Sequence, residues 1–415
     1  MAAYSVETEK IRGNGLEIYV VKEGDNVDAI ARQAGIEVDA LLWANQIDYP
    51  YRLAVGQALY IPPLGVWTGA GGASGAEEVS SVREAGNAGA VNQEKSALYV
   101  FGYAYPFISS RVLSDTLPYL TDLYVFSYGF TAEGNLVHPI SDDRWMIAAA
   151  REAGVGPVMT LTPIDSSGTF NNNLISALVR DLSIQQRLIW ELGRTMQEKG
   201  FEGLDIDFEY VQAEDGTAYA EFVARTRQIL NLFGYTVTVA LAPKTSAEQR
   251  GLLYEGINYR LLGEAADRVM LMTYEWGYSL GPPMAVAPIN MVRRVVEYAV
   301  SEIPPEKISL GIPNYGYDWP LPYERGVTRA NTIYTLEAIQ LAIDHGSQIY
   351  FDETAQSPYF YYWQYGIRHE VWFEDPRSLL AKFRLIEEYG LTGAGYWQLM
   401  NFYRANWLML EEFFA

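Results

Sequence analysis

The chain has 415 residues, of which 49% are hydrophobic and 20% charged, and this composition favours folded domains over a disordered chain. The formal net charge of -21 disfavours nucleic acid and anionic membrane surfaces as partners, because both are polyanions. Cysteine is absent, which excludes disulfides, thiolate catalysis and cysteine zinc sites. The length suits one large domain and a small module, and we expect a monomer.

The sequence gives little support for a metal or for a membrane span. The three histidines, His138, His345 and His369, lack the spacing of metal ligands, so we predict neither a metal nor a cofactor. No apolar stretch reaches the roughly 20 residues of a membrane span. The first residues, MAAYSVETEK, do not resemble a cleaved secretory signal, so we expect either export without one or a sequence that has been trimmed at its N-terminus.

The N-terminal region predicts a small α+β module at residues 18–63, after a tail at residues 1–17. A strand at 18–21 and a strand at 58–62 flank two short helices, the second at 38–44. The segments YVVKEGDNVDAIARQAGIEVDALLWANQ and LAVGQALYIP resemble the LysM module. That resemblance implies binding to glycans that contain N-acetylglucosamine, either peptidoglycan or chitin. An unrelated α+β module is the alternative.

Residues 64–95 are rich in Gly, Ala and Ser without an apolar period, which predicts a flexible linker. A long surface loop is the alternative reading of this segment, although such loops are uncommon.

Strand and helix patterns alternate over residues 96–415. Eight apolar segments rich in β-forming residues favour a closed (β/α)8 barrel over a doubly wound sheet. The long interval before the last strand contains its own strand-like runs and predicts a small α+β insertion at about 318–375. The predicted strands are 98–103, 123–128, 158–162, 203–209, 236–241, 269–274, 309–313 and 393–398.

The segment FEGLDIDFEY, residues 201–210, carries the strongest chemical signal. Alternate side chains of a strand share a face, so Asp205, Asp207 and Glu209 should point together into the barrel. Like charges at that spacing resist simultaneous ionisation, which is costly in a structure that does not use them. The alternatives are an exposed strand whose acids face water and a divalent-metal site.

FEGLDIDFEY resembles the DxxDxDxE signature of glycoside hydrolase family 18, the chitinase-like enzymes. The resemblance implies that Glu209 is the general acid/base and that Asp207 orients the acetamido group of the substrate, with Asp205 in support. It also implies a retaining mechanism in which the N-acetyl oxygen of the substrate, rather than an enzyme carboxylate, attacks the anomeric carbon. Glu202 occupies the first acidic position of the signature.

Two further segments agree with this resemblance. LMTYEWG, residues 271–277, assigns Tyr274 to the acetamido carbonyl, although Glu275 stands where chitinases usually place Asp. GAGYWQL, residues 393–399, assigns Trp397 to the floor under the reacting sugar. The other predicted substrate-binding residues are Glu275, Trp276, Tyr128, Tyr317 and Gln398.

The segments TYEWGYSLGPPMAVAPIN, SLGIPNYGYDWPLP, FDETAQSPYFYY and HEVWFEDPRSL are similar to those of the LysM-containing cortical fragment-lytic enzymes of spore germination. That subgroup implies N-acetylglucosaminidase activity on cortex peptidoglycan and a location in the spore coat, the cortex or the cell wall. A chitinase or endo-N-acetylglucosaminidase acting on another glycan and a catalytically silent glycan-binding protein are the alternatives.

Overall fold

The computed structural model of the chain describes residues 11–13, 15–67 and 98–415. The predicted linker at 64–95 therefore lies outside the described residues, except for residues 64–67. Most of the predicted tail at 1–17 also lies outside them.

The N-terminal module is a three-stranded antiparallel sheet with two helices: β1 (Ile11–Gly13), β2 (Leu16–Val20), α1 (Val27–Ala34), α2 (Val38–Asn45) and β3 (Ala58–Ile61). Asn26 caps α1 by accepting a hydrogen bond from the backbone N–H of Ala29 at 2.9 Å. The predicted strand–helix–helix–strand order is present. It is preceded by β1, which pairs with β2, so the sheet begins before residue 18.

The large domain begins with strands and helices in alternation. Its strands are β4 (Tyr99–Ala104), β5 (Asp122–Phe130), β6 (Leu136–Val137), β7 (Gly156–Leu161), β8 (Gly203–Ile206), β9 (Thr236–Leu241), β10 (Arg268–Leu271) and β11 (Ile308–Pro313). Its first helices are α3 (Ser110–Thr116), α4 (Arg144–Glu152), α5 (Asn173–Arg180), α6 (Leu182–Lys199), α7 (Gly216–Leu230), α8 (Tyr259–Ala265) and α9 (Ile289–Glu302).

Local sequence explains where the long helix α6 begins and ends. The carboxylate of Asp181 accepts hydrogen bonds from the backbone N–H groups of Ser183 and Ile184. Gly200 ends the helix at φ 84°, in the left-handed region where a side chain would be strained. The helix therefore delivers the chain directly to β8, which carries the acidic segment.

The predicted insertion is a five-stranded antiparallel sheet with one helix. It consists of β12 (Gly316–Leu321), β13 (Asn331–Ile333), α10 (Thr335–Asp344), β14 (Tyr350–Asp352), β15 (Ser357–Gln364) and β16 (Ile367–Trp372). The chain then continues into α11 (Pro376–Tyr389), β17 (Gly393–Trp397) and α12 (Arg404–Phe414).

Strand β17 closes the barrel. It pairs in parallel with both β11 and β4, and β4 also pairs with β5. The parallel strands β4, β5, β7, β8, β9, β10, β11 and β17 therefore form a complete ring, and β6 is added antiparallel to β5. The predicted (β/α)8 barrel with an insertion before its last strand is confirmed.

The N-terminal module packs directly against the barrel. Tyr60 donates a hydrogen bond to Glu412 of α12, and Arg377 of α11 donates to the carbonyl of Gly56 at 3.1 Å. Buried side chains of the module, including Leu16 and Ile18, belong to the same apolar core as the barrel. The module therefore has a fixed position on the barrel.

Candidate active site

The acidic segment sits at the end of β8, inside the ring of strands. Leu204, Ile206 and Phe208 are buried on the outer side, where the ring of Phe208 stacks on Phe222 of α7 at 6.2 Å. The intervening carboxylates therefore face inward, as the alternation predicts. The strand ends at Ile206, so Asp207 and Glu209 lie just beyond it, on the carboxyl-terminal side where barrel enzymes build their sites.

Asp205 is fully buried beneath the other two acids. Its carboxylate accepts hydrogen bonds from the hydroxyl of Tyr103 on β4 at 3.0 Å and from the hydroxyl of Thr238 on the neighbouring strand β9 at 2.8 Å. Burial raises the pKa of Asp205 to about 6, although the two hydrogen bonds favour the ionised form. Asp205 therefore supports the site from within the barrel.

Asp207 and Glu209 line the same cavity, whose volume is about 340 Å³. Among the described residues, the buried Oδ1 of Asp207 has no hydrogen-bond partner. Burial raises the pKa of Asp207, and the charges of Glu209 and Asp205 raise it further. Burial also raises the pKa of Glu209, with a further contribution from the charge of Glu275. A raised pKa suits Glu209 to donating a proton near neutral pH.

Tyr274 and Trp397 line this cavity as well. The indole of Trp397 meets the ring of Phe126 edge-on, with the ring centroids 4.9 Å apart. A Cβ atom added at Gly311 would lie 2.9 Å from the ring of Tyr274 and 2.2 Å from the Leu271 carbonyl oxygen. Only glycine therefore leaves room for the close packing that supports Tyr274.

Glu275 connects the cavity to a side pocket of about 170 Å³, which Tyr317 and Gln398 also line. Its carboxylate accepts hydrogen bonds from the hydroxyls of Tyr315 and, at 2.9 Å, Tyr317. Burial raises the pKa of Glu275, while these two hydrogen bonds lower it. Glu275 has φ 66°, a left-handed conformation that is strained for a residue with a side chain.

Tyr128 and Trp276 do not line either cavity, contrary to the sequence prediction. Tyr128 is fully buried and donates a hydrogen bond to Asp143, the residue that directly precedes α4. The pairing of β5 with β7 shifts register between Val125 and Tyr128, and Phe126 lines the cavity instead. Trp276 packs against the apolar core.

Several residues that line the cavity were not predicted from the sequence. Except for Phe126, which lies within β5, they lie near the carboxyl end of a barrel strand or in the connection that follows it, and this position was the available signal. Tyr210 directly follows the acidic segment, lines the cavity and has φ 55°. The other missed residues are Tyr103, Tyr105, Phe126, Pro163, Phe170, Asn172, Ala240 and Met272.

No described cluster of three or more His, Asp or Glu side chains has an arrangement that could hold a metal ion. Within the same residues, no helix combines the length and apolar character of a membrane span.

Two family models match the chain, one in the large domain and one in the N-terminal module. The model for glycosyl hydrolases family 18 matches residues 166–401, which include the acidic segment, Tyr274 and Trp397. The model for the LysM domain matches residues 19–62.

The chain is 37% identical over 426 residues to the cortical fragment-lytic enzyme of Bacillus subtilis (strain 168), with 96% of this chain and 98% of the relative covered. It is similar to the crystal structure of the Bacillus cereus spore cortex-lytic enzyme SleL, with a TM-score of 0.86, 32% identity and coverage of 96% and 98%. A chitinase from Chromobacterium violaceum ATCC 12472 gives a TM-score of 0.70 at 26% identity, over 77% of this chain and 99% of that one. The chain therefore belongs to glycosyl hydrolase family 18 and is a glycoside hydrolase with an N-terminal LysM domain.

Proposed function

We propose that the protein is a retaining, substrate-assisted N-acetylglucosaminidase that hydrolyses spore-cortex peptidoglycan or its fragments. Support for the substrate comes from relatives named cortical fragment-lytic enzymes and from similarity across nearly the whole chain. The LysM domain adds a second surface for the same glycan, and the spore coat, the cortex or the cell wall is the proposed location.

The observation that carries this proposal is the pairing of two unlike carboxyl groups in one cavity. Glu209 is largely buried and has a raised pKa, as a proton donor requires. Asp207 is more deeply buried and presents an oxygen without a hydrogen-bond partner among the described residues. Such an oxygen is free to accept a hydrogen bond from the N–H of a 2-acetamido sugar.

The proposed reaction has two steps. In the first, Glu209 donates its proton to the glycosidic oxygen while the acetamido carbonyl oxygen of the substrate attacks the anomeric carbon. The bond to the leaving sugar breaks, and the reacting sugar becomes an oxazolinium ion whose N–H donates to Asp207. In the second step, Glu209 takes a proton from water, and that water attacks the anomeric carbon and opens the oxazolinium ring. Each step inverts the configuration at the anomeric carbon, so the product keeps the configuration of the substrate.

Apart from Asp207, which the proposal assigns to the N–H of the acetamido group, the other carboxyl groups in or beneath the cavity are already held by hydrogen bonds from the protein. A retaining enzyme with two catalytic carboxylates places them about 5 Å apart and leaves the second free to attack. Glu275 already accepts hydrogen bonds from two phenols, and Asp205 lies beneath the cavity, held by Tyr103 and Thr238. In the proposed complex, Tyr274 donates to the acetamido carbonyl and Trp397 supports the apolar face of the sugar.

Mass spectrometry of the products from purified cortex fragments tests this proposal. We expect new reducing ends that are N-acetylglucosamine, formed by the parent protein and not by the Glu209→Gln variant. Chitin oligomers provide the second arm of the experiment. Efficient hydrolysis of chitin oligomers, without release of products from cortex fragments, would identify a chitin-like glycan as the substrate. Reducing ends on muramic acid would overturn the proposed bond specificity.

A further inference from the structure

The main cavity and the side pocket form one surface with a single sign of charge. The main cavity is lined by the carboxyl groups of Asp207, Glu209 and Glu275, and the side pocket shares Glu275 with it. Among the described residues that line the two cavities, none is lysine, arginine or histidine. Any charge that a ligand meets on this lining is therefore negative, without a compensating cation.

The side pocket lies where a substituent of the bound glycan would enter. It shares Tyr105, Glu275 and Trp397 with the main cavity, so a sugar on Trp397 is adjacent to both. Its other lining groups are neutral and can form hydrogen bonds: Tyr315, Tyr317, Thr332 and Gln398. The side pocket is therefore suited to a polar substituent that has no negative charge.

Glu275 is fixed at the junction and cannot easily turn away from a substituent. The phenols of Tyr315 and Tyr317 both donate to its Oε1, and they come from the chain that leads from β11 into β12. A carboxylate placed beside Glu275 would lose water and face a like charge in a partly buried site, and both effects oppose its binding. An amide or a hydroxyl at the same place would meet neither penalty.

We propose that the side pocket makes the enzyme select glycans whose substituent next to the reacting sugar is uncharged, and reject those in which it is a free carboxylate. In peptidoglycan this distinction falls on the lactyl group of muramic acid, which is neutral when its carboxyl is joined through an amide. This inference rests on the proposed function, since it assumes that a glycan occupies the main cavity. It identifies Glu275 as a specificity-determining residue.

A pair of tetrasaccharides tests this selection. Both alternate N-acetylglucosamine with N-acetylmuramic acid, and they differ only in whether the lactyl carboxyl is free or capped as a methylamide. At pH 7 we expect kcat/KM to be about tenfold or more higher for the capped compound. In Glu275→Gln the ratio of the two values should move towards one. Glu152→Gln removes an exposed charge on α4 and should leave the ratio at the parent value.

Binding to the Glu209→Gln variant separates this inference from the proposed function. Tighter binding of the capped compound by about tenfold or more supports the inference even where the parent cleaves neither compound, and in that case the proposed function fails alone. Equal kcat/KM for the two compounds, with both cleaved, overturns the inference and leaves the proposed function intact. An absence of both binding and cleavage overturns both. If the ratio of the two kcat/KM values in Glu275→Gln equals that of the parent, Glu275 is not the cause of the selection.

Discussion

Arg404 of the last helix lies over the indole of Trp43, with its guanidinium carbon 4.9 Å from the ring centroid, and donates a hydrogen bond to the Trp43 carbonyl at 2.8 Å. Gln46 adds a reciprocal contact: its side chain donates to the carbonyl of Phe402 and accepts from the backbone N–H of Arg404. The LysM domain is thus joined to the barrel by directed polar contacts as well as by apolar packing.

Arg404→Ala should lower the stability of the protein, because it removes a charged hydrogen bond and a cation–π contact at the domain junction. We expect a loss of about 1–3 kcal/mol in the free energy of unfolding, measured by chemical denaturation. Arg144→Ala provides the control, since its side chain is 75% exposed and its ion pair with Asp142 is 3.8 Å long. An Arg404→Ala protein as stable as this control would contradict a structural role for the junction.

Deletion of residues 1–64 should weaken retention on insoluble cell wall, because the LysM domain would be lost. The packed junction adds a second consequence: the melting temperature should fall, since apolar and polar groups of the barrel that now meet the domain become exposed to water. Turnover of soluble fragments, measured well below the new melting temperature, should persist. A collapse of that turnover in a still-folded protein would place the LysM domain in the active site.

Glu209→Gln should reduce kcat on the order of 10²-fold or more, because the amide cannot donate the required proton. The matched control is Glu202→Gln, which makes the same change at an exposed position just before β8, at the opposite end of the acidic segment. We expect the control to retain near-parent activity. Equal rates for the parent and Glu209→Gln, measured on the same soluble fragments, would contradict the assignment of Glu209 as the proton donor.

Glu275→Gln should shift the alkaline limb of the pH–rate profile to lower pH. The negative charge of Glu275 opposes ionisation of Glu209 and so raises the pKa of Glu209. Removing that charge lets Glu209 lose its proton at lower pH, and the protonated acid needed for the first step disappears earlier. The profile of kcat/KM for a neutral substrate measures this shift. An unchanged or higher alkaline limb would argue against the electrostatic contact.

Asp205 should make the protein less stable as the pH rises from about 4 to 6. Burial raises its pKa from 3.8 to about 6, so within this interval the folded state holds a proton that the unfolded state has released. Ionisation in the folded state then costs on the order of 3 kcal/mol, which is fully expressed above the folded pKa. Asp205→Asn should flatten this dependence, as measured by denaturant unfolding at pH 4 and pH 7. If the free energy of unfolding changed equally between pH 4 and pH 7 in the parent and in Asp205→Asn, this prediction would be wrong.

Much of the fold and the centre of the site could be predicted from the sequence because both follow from local patterns. Alternation along FEGLDIDFEY predicted an outward Phe208 and inward Asp205, Asp207 and Glu209, and this arrangement is present. Tyr128 was predicted to bind substrate but does not line the cavity, and the pairing of β5 with β7 shifts register between Val125 and Tyr128. Such an irregularity depends on the neighbouring strand and leaves no local signal.

The sequence by itself determined the barrel, the acidic segment and the resemblance to family 18, since strand periodicity and a ten-residue motif are properties of neighbouring residues. Only the tertiary structure decided that Tyr315 and Tyr317 hold Glu275, about 40 residues earlier in the chain, beside a side pocket. It also decided that the LysM domain rests on the barrel, through contacts between residues as far apart as Gln46 and Phe402. Contacts of that separation depend on how packed elements meet, which periodicity does not encode.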